Sequence, residues 1–145
     1  MKPALLLLMT IAAIAMSTAC GQADAGAPPD QDVRVDGGSY RDIAPIKLRE
    51  MLEKKDFTLV NVHIPYEGEI TGTDLFVPYN QIEQNITRLP ADKGARIVLY
   101  CRSGSMSTTA SKTLVRMGFT NVSNLAGGMI EWKRQGYPVI NTASN

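Results

Sequence analysis

Hydrophobic residues in this chain occur as short continuous runs, separated by stretches in which they recur at helical spacing. Residues 57–64 read FTLVNVHI and residues 96–100 read RIVLY, and such nearly unbroken apolar runs are typical of strands buried on both faces. Residues 105–117 repeat their apolar positions at helical spacing, which predicts an amphipathic helix. One face of this helix carries Met106, Ala110, Leu114 and Met117, and the other largely carries Ser107, Thr108, Ser111 and Lys112.

The remaining segments continue the alternation of strands and helices. The pattern predicts an edge strand at residues 40–44, a helix that begins at Pro45, a short helix at 81–89, a strand at 121–125 and a last helix at 127–136. Such alternation favours an α/β fold, in which helices cover both faces of a central, mostly parallel, twisted sheet. Functional sites in these folds form outside the carboxyl ends of the strands.

The N-terminus has the pattern of a targeting segment. Lys2 is followed by an apolar stretch too short to span a membrane and then by small residues, which predicts a signal peptide over residues 1–19. Ala19 and Cys20 resemble the lipobox of bacterial lipoproteins, although Ser17 stands where Leu is usual. That resemblance implies acylation of Cys20 on the periplasmic side of a bacterial membrane, and Gly21 in place of Asp favours the outer membrane. The alternative is simple cleavage that leaves Cys20 as a free thiol.

Composition indicates how the chain is divided into segments and argues against two classes of function, nucleic-acid binding and zinc binding. Residues 20–38 are rich in Gly, Ala, Pro, Asp and Gln, which predicts a flexible tether before one folded domain at residues 39–145. The formal net charge of +1 gives no electrostatic case for nucleic-acid binding. The single His and two Cys offer no spacing for a zinc site, so no metal is expected.

Cys101 lies between the predicted strand at 96–100 and the predicted helix at 105–117. The first N–H groups of a helix have no intrahelical acceptors and therefore converge on an anion placed there. The helix dipole and the neighbouring Arg102 both favour a thiolate over a thiol. This position therefore predicts a reactive cysteine within a ring of amide donors.

The loop after the cysteine supports this interpretation. Gly104 can adopt backbone angles that turn the loop amides inward, and Ser103 and Ser105 are small enough to leave the mouth of the loop open. The alternative is that Cys101 is a core residue that continues the strand, since free cysteines are often buried. The polar sequence R-S-G-S after the cysteine favours the functional interpretation.

Two separate motifs resemble those of single-domain rhodaneses. The first, YCRSGSMS at residues 100–107, fits the family's C-R-x-G-x-x loop, and the second, NLAGGMIEWKRQGYP at 124–138, fits its C-terminal helix. The second motif contributes Gly127, Gly128 and Trp132. The resemblance covers the region from about residue 39 to residue 140 and implies a small rhodanese-like domain.

The resemblance implies that the protein is a sulfurtransferase. Cys101 would take a sulfane sulfur from thiosulfate or a persulfide and pass it to cyanide or a thiol. The groups implied to bind the donor are the backbone amides of Arg102, Ser103, Gly104, Ser105 and Met106. The side chain of Arg102 either lies in this cradle or points to solvent. Because the intermediate forms on the enzyme itself, no cofactor is expected. The expected partners are small sulfur-containing anions and protein or low-molecular-weight thiols, and the expected state is a monomer.

The chain departs from the rhodanese pattern at three places. Met106 occupies the last loop position, where thiosulfate-using members often carry Arg or Lys, which weakens the case for thiosulfate. Residues 61–63 read Asn-Val-His where the family has Asp-Val-Arg. Neutral groups thus replace the Asp–Arg charge pair, and the role of that pair does not carry over to this chain. Residues 68–72 read GEITG in place of G-H-I-P-G.

His63 has two open interpretations. As the only histidine, it could tune the thiolate, or it could be a partly exposed residue that packs beside Pro65 and Tyr66, and the sequence favours packing. Other large side chains are expected to pack helices onto the sheet, namely Met106, Met117, Trp132 and Tyr137.

Two alternatives to sulfur transfer assign Cys101 a different role. Phosphatases and arsenate reductases of related fold use a C-x5-R loop, but Ser107 stands where that arginine would be, which argues against phosphoryl or arsenate chemistry. The second alternative is a membrane-tethered binding module or persulfide carrier, in which Cys101 accepts sulfur without catalysing its turnover.

Overall fold

Six strands form the central sheet of the computed structural model, which describes residues 30–141. The strands in chain order are β1 (Gln31–Val35), β2 (Gly38–Ile43), β3 (Thr58–Asn61), β4 (Glu69–Ile70), β5 (Leu75–Phe76), β6 (Ile97–Tyr100), β7 (Val122–Leu125) and β8 (Val139–Ile140). The sheet has the order β1-β2-β7-β6-β3-β5, and all neighbours are parallel except β1 and β2. The short strands β4 and β8 pair separately, in antiparallel orientation.

Three helices cover the sheet, namely α1 (Pro45–Glu53), α2 (Ser105–Arg116) and α3 (Gly128–Arg134). The central strand β6 is fully buried, and its side chains alternate between two core clusters. Ile97 and Leu99 pack in the cluster that contains α2, whereas Val98 and Tyr100 pack in the cluster that contains α1 and α3. Both faces of the sheet are thus covered by helices, which confirms the predicted α/β fold.

The first strand corrects two predictions. Residues 31–35, expected to be tether, form β1, and a turn at Gly37 with φ +91° leads into β2. Because β1 pairs with β2, the strand predicted at 40–44 lies inside the sheet rather than at its edge. The sequence signal is the alternation of Val33 and Val35 with polar residues before Asp36-Gly37, a dipeptide typical of hairpins.

Two details of the predicted helices also differ. Residues 81–89 lie across two 3-10 turns, Tyr79–Gln81 and Ile86–Arg88, instead of one helix. In α2 the serines expected on the wet side, Ser107 and Ser111, are fully buried, while Lys112 is exposed as predicted. The sheet and the 3-10 region enclose this helix on more sides than a simple amphipathic pattern assumes.

The predicted signal peptide, Cys20 and the first part of the predicted tether lie outside the described residues. Between residues 30 and 141, no helix is both long enough and apolar enough to cross a membrane.

Candidate active site

Cys101 lies directly after β6, the central buried strand, and before the start of α2. Its side chain is 1% exposed. The backbone N–H of Gly104 donates to Cys101 Sγ at 3.0 Å, and the hydroxyl of Ser107 lies 3.5 Å from the same sulfur. A sulfur with an amide and a hydroxyl donor aimed at it is placed to carry negative charge.

Gly104 gives the loop its shape. It stands at the N-cap position of α2 with φ +97°, a conformation that favours glycine, and no side chain caps the helix. Its carbonyl accepts the first bond of the helix, from Thr108 N at 2.9 Å. The glycine therefore turns its own N–H back toward the sulfur while its carbonyl starts the helix.

The first residues of α3 form hydrogen bonds with the backbone of the cysteine loop. The N–H groups of Met129 and Ile130 donate to the carbonyl oxygens of Cys101 and Arg102, both at 2.9 Å. Gly128 allows this contact, since its backbone has φ +55° and packs against the carbonyls of the loop. The second sequence motif thus positions the first.

A carboxylate connects Arg102 and His63 at this site. Glu67 Oε2 lies 3.2 Å from Arg102 Nε and 3.4 Å from His63 Nε2. The side chains of Arg102 and Glu67 are about half exposed, whereas His63 is 6% exposed. The imidazole meets Glu67 at ion-pair distance, but neither of its nitrogens has a hydrogen-bond partner among the described residues. His63 is therefore buried beside an acid, and the expectation of a partly exposed residue is wrong.

Asn61 orders the segment that carries His63 and Glu67. Its amide Nδ2 donates to the Gly68 carbonyl at 3.0 Å, and its Oδ1 accepts the backbone N–H of His63 at 3.0 Å. These two bonds close a loop from the end of β3 to the start of β4. A neutral amide thus holds the segment where the rhodanese pattern places an aspartate.

The predicted binding residues surround the sulfur unequally. Arg102, Ser103 and Ser105 are exposed, Gly104 is buried, and Met106 is partly buried against the core. The predicted packing roles of Met106, Met117, Trp132 and Tyr137 are confirmed, because all four lie in or against the core clusters. Arg102 is thus the only cation among loop residues 102–106, and Glu67 pairs with it.

The sequence pattern does not identify two residues of the site. It places Ser107 on the solvent face of its helix, although the position of Ser107 six residues after the cysteine lies in the first helical turn. Glu67 carried no assignment, because nothing in the sequence shows that residues 63–67 fold back beside the cysteine loop. Within residues 30–141, no group of three or more His, Cys, Asp or Glu could hold a metal ion.

A cavity of about 530 Å³ lies away from the cysteine, beside the amino ends of β6 and β7. Both arginines that line it are already paired: Arg41 contacts Asp32 at 2.9 Å and Arg96 contacts Asp56 at 2.6 Å. The cavity therefore offers no unpaired arginine that could bind an anion.

Comparisons with known proteins agree with this geometry. Residues 44–135 match the family described as the rhodanese-like domain. A sulfurtransferase of Allochromatium vinosum is 34% identical over 95 residues, which cover 63% of this chain and 86% of that protein. The thiosulfate sulfurtransferase GlpE of Coxiella burnetii is 28% identical over 96 residues, which cover 65% of this chain and 88% of that protein.

Another relative, from Synechocystis, is longer, and the match covers 56% of it. Among solved structures, a rhodanese-related protein from Thermoplasma volcanium is similar with a TM-score of 0.60 and 27% identity, over 70% of this chain and 98% of that one.

Proposed function

Because this chain belongs to the rhodanese-like domain family, we propose that it is a sulfurtransferase that carries a sulfane sulfur on Cys101. The observation that supports this most directly is the N–H of Gly104, 3.0 Å from Cys101 Sγ at the carboxyl end of β6. A buried sulfur with aligned donors stabilises the thiolate that attacks and the anion that forms after the attack.

Two steps complete the proposed cycle. The Cys101 thiolate attacks the outer sulfur of thiosulfate or of a persulfide, a new S–S bond forms, and the electron pair of the broken S–S bond leaves with sulfite or a thiolate. A thiophilic acceptor such as cyanide or a thiolate then attacks the outer sulfur of the cysteine persulfide. The bond to Sγ breaks, and its electron pair regenerates the Cys101 thiolate. No external oxidant or reductant is consumed, because the sulfane sulfur passes from donor to acceptor unchanged in oxidation state.

The charges at the mouth favour a persulfide over thiosulfate as donor. Arg102 is paired with Glu67 at 3.2 Å, and Met106 supplies no cation. A dianionic donor would therefore meet one neutralised arginine, whereas a persulfide carries at most one charge at its reacting end. We propose persulfides as the better donors and thiosulfate as a poorer one.

The lack of an unpaired cation in the loop also supports a second candidate function, that of a persulfide carrier. With no unpaired cation in the loop, Cys101 could hold a persulfide that discharges only to a partner protein, so that the domain acts as a carrier. A carrier would form the persulfide normally and turn over poorly with small acceptors. The absence of an arginine at position 106 or 107 also argues against phosphatase or arsenate-reductase chemistry.

We propose that the domain works on the periplasmic side of a bacterial membrane, as a monomer anchored through acylated Cys20. The support is the sequence pattern of residues 1–20. Metabolic labelling with a fatty-acid analogue tests the anchor: the wild-type chain should be labelled, and Cys20→Ser should not. Labelling that is equal in the two chains, or absent from both, would contradict it.

The sulfur chemistry is tested with the purified full-length protein in detergent, beside its Cys101→Ser variant. Each is incubated with cyanide and either thiosulfate or a low-molecular-weight persulfide, and thiocyanate is measured. Intact-mass spectrometry of the same samples detects the persulfide. We expect turnover that depends on Cys101 and is faster with the persulfide. A persulfide without turnover would identify a carrier, and no persulfide from either donor would refute sulfur transfer at this site.

A further inference from the structure

Ser107 lies on the first turn of α2, and its side chain is fully buried. The hydroxyl oxygen stands between two acceptors, the Gly104 carbonyl at 3.1 Å and Cys101 Sγ at 3.5 Å. A serine hydroxyl has one proton, so it can donate to only one of them at a time. The carbonyl does not depend on Ser107, because it already accepts Thr108 N at 2.9 Å.

The charge on the sulfur decides between these acceptors. A hydrogen bond to an ionised acceptor is about twice as strong as one between neutral groups. A neutral Sγ is a weak acceptor, so the Ser107 hydroxyl then donates to the Gly104 carbonyl. When Sγ is a thiolate, the hydroxyl donates to Sγ instead. Rotation about a single side-chain bond is enough to exchange the two bonds.

We propose that Ser107 is a catalytic residue whose hydroxyl donates a hydrogen bond to Cys101 Sγ while Sγ carries negative charge. When the charge moves to the outer sulfur of the persulfide, this hydrogen bond breaks and the hydroxyl donates to the Gly104 carbonyl. This inference rests on the proposed sulfur transfer and concerns its second step. In the persulfide, Sγ is bonded to Cβ and to the outer sulfur, and the negative charge lies on the outer sulfur. When the acceptor attacks, the S–S bond breaks and its electron pair returns to Sγ, where the Ser107 proton stabilises the leaving thiolate.

The two half-reactions should therefore respond differently to loss of the hydroxyl. In the first, the stabilised thiolate is the reactant, and a thiolate without its donor is more basic and no less nucleophilic. In the second, the thiolate is the leaving group, and a less stabilised leaving group departs more slowly. A residue that only filled space would change both half-reactions together.

Ser111 provides a matched control. It lies one turn further along α2, is also fully buried, and its hydroxyl has no hydrogen-bond partner among the described residues. Ser107→Ala and Ser111→Ala thus remove the same atom from the same helix, and only the first removes a donor to Cys101. Ser107→Thr retains a hydroxyl and serves as the conservative variant.

The test is single-turnover kinetics on the full-length protein in detergent, with all variants measured at one and the same alkaline pH. Cys101 is first loaded from a low-molecular-weight persulfide, and the rate of persulfide formation is followed by rapid quench and intact mass. Excess persulfide is then removed, cyanide is added, and discharge is followed as thiocyanate. Urea unfolding of each variant confirms that it is folded.

We expect Ser107→Ala to discharge about tenfold more slowly than the wild type, which corresponds to about 1.4 kcal/mol. Persulfide formation should be unchanged or up to about threefold faster. Ser111→Ala should match the wild type in both steps, and Ser107→Thr should recover most of the discharge rate.

Equal slowing of both steps in Ser107→Ala, unchanged discharge, or the same defect in Ser111→Ala would overturn the role of Ser107 and leave sulfur transfer intact. A wild-type protein that forms no persulfide would instead refute the proposed function, and this inference with it.

Discussion

Gly128 lies so close to Cys101 that a Cβ atom on Gly128 would come within 2.4 Å of the Cys101 carbonyl oxygen. The same atom would lie 2.8 Å from the carbonyl carbon and oxygen of Arg102. Backbone atoms cannot move aside as a flexible side chain can. The cysteine loop therefore keeps its place only while residue 128 has no side chain, which links two motifs that lie far apart in the sequence.

Gly128→Ala should lower both stability and sulfur transfer. The new Cβ would meet backbone atoms of the loop, and a φ of +55° adds a cost of about 1–2 kcal/mol for any residue with a Cβ. We expect a total loss of about 3 kcal/mol or more in the free energy of unfolding, measured in urea, and at least a tenfold loss of turnover as the loop is displaced.

Gly136→Ala is the control for this change. Gly136 also has a positive φ, of +82°, but a Cβ there would meet nothing within 4 Å. It should lose only the cost of the backbone conformation and retain the wild-type turnover. If the two variants behave alike, close packing at Gly128 is not what holds the loop.

Glu67→Gln should improve the use of thiosulfate. The change removes a negative charge from the mouth and releases Arg102 from the ion pair at 3.2 Å. We expect kcat/KM for thiosulfate to rise about threefold to tenfold at low salt, and less at high salt, because screening weakens interactions between exposed charges. Turnover with a neutral trisulfide donor should change much less.

The control for Glu67 is Glu53→Gln. Glu53 also pairs with an arginine, Arg49 at 3.0 Å, but it lies on α1, away from the cysteine loop. This variant should leave the donor preference unchanged. A rise in thiosulfate use in both variants would show that only the net charge of the protein matters.

Met106→Lys should also favour thiosulfate. It places a cation at the last loop position, and the aliphatic part of Lys can cover the core surface that Met106 covers now. We expect kcat/KM for thiosulfate to rise about tenfold, measured beside Met106→Leu, which preserves volume without charge. An equal rise in Met106→Leu would attribute the effect to packing instead of charge.

Tyr100 should make stability depend on pH in the alkaline range. Burial raises the pKa of Tyr100 above its ordinary value of 10.0, because the phenol is enclosed beneath the sheet. At alkaline pH the folded protein therefore keeps the phenolic proton of Tyr100 while the unfolded chain loses it. The contribution of Tyr100 to the free energy of unfolding is fully present below about pH 10 and is lost as the pH rises further. Urea unfolding between pH 8 and pH 12 should show a declining free energy of unfolding above pH 10.

Tyr100→Phe separates the proton from the hydrogen bonds. The hydroxyl contacts Thr73 Oγ1 at 2.7 Å and accepts Ile70 N–H at 3.0 Å, so its loss should cost about 1–3 kcal/mol at pH 8. The alkaline decline should become smaller but persist in part, because burial also raises the pKa of Tyr40. An unchanged decline in the variant would assign it to other groups.

The centre of the fold could be predicted because its local signals agree. The run at residues 97–100 is apolar on both faces. Gly104, in the loop after Cys101, has the positive φ that joins the strand to the helix. These features depend on neighbours in the sequence. They were therefore sufficient to place Cys101 at the carboxyl end of a buried strand.

The parts that could not be predicted depend on contacts between distant segments. Ser107 and Ser111 are buried although they are polar, because the sheet and the 3-10 region enclose their side of α2. Glu67 reaches Arg102 only through the path of the loop that Asn61 closes. The hairpin β1–β2 was missed for another reason: its signal was present, but the polar composition around it favoured a tether.

The start of α2 has a consequence for protein engineering. An N-cap side chain such as Ser or Asp typically adds about 1 kcal/mol to the stability of a helix, and α2 has none. A carboxylate or hydroxyl placed there would occupy the N–H groups of the first turn, where a sulfur anion would otherwise bind. A design rule that adds N-cap side chains would select this position among the first, but a side chain at Gly104 would be strained by the φ of +97° and would compete with the sulfur anion, so stability and catalysis would both suffer.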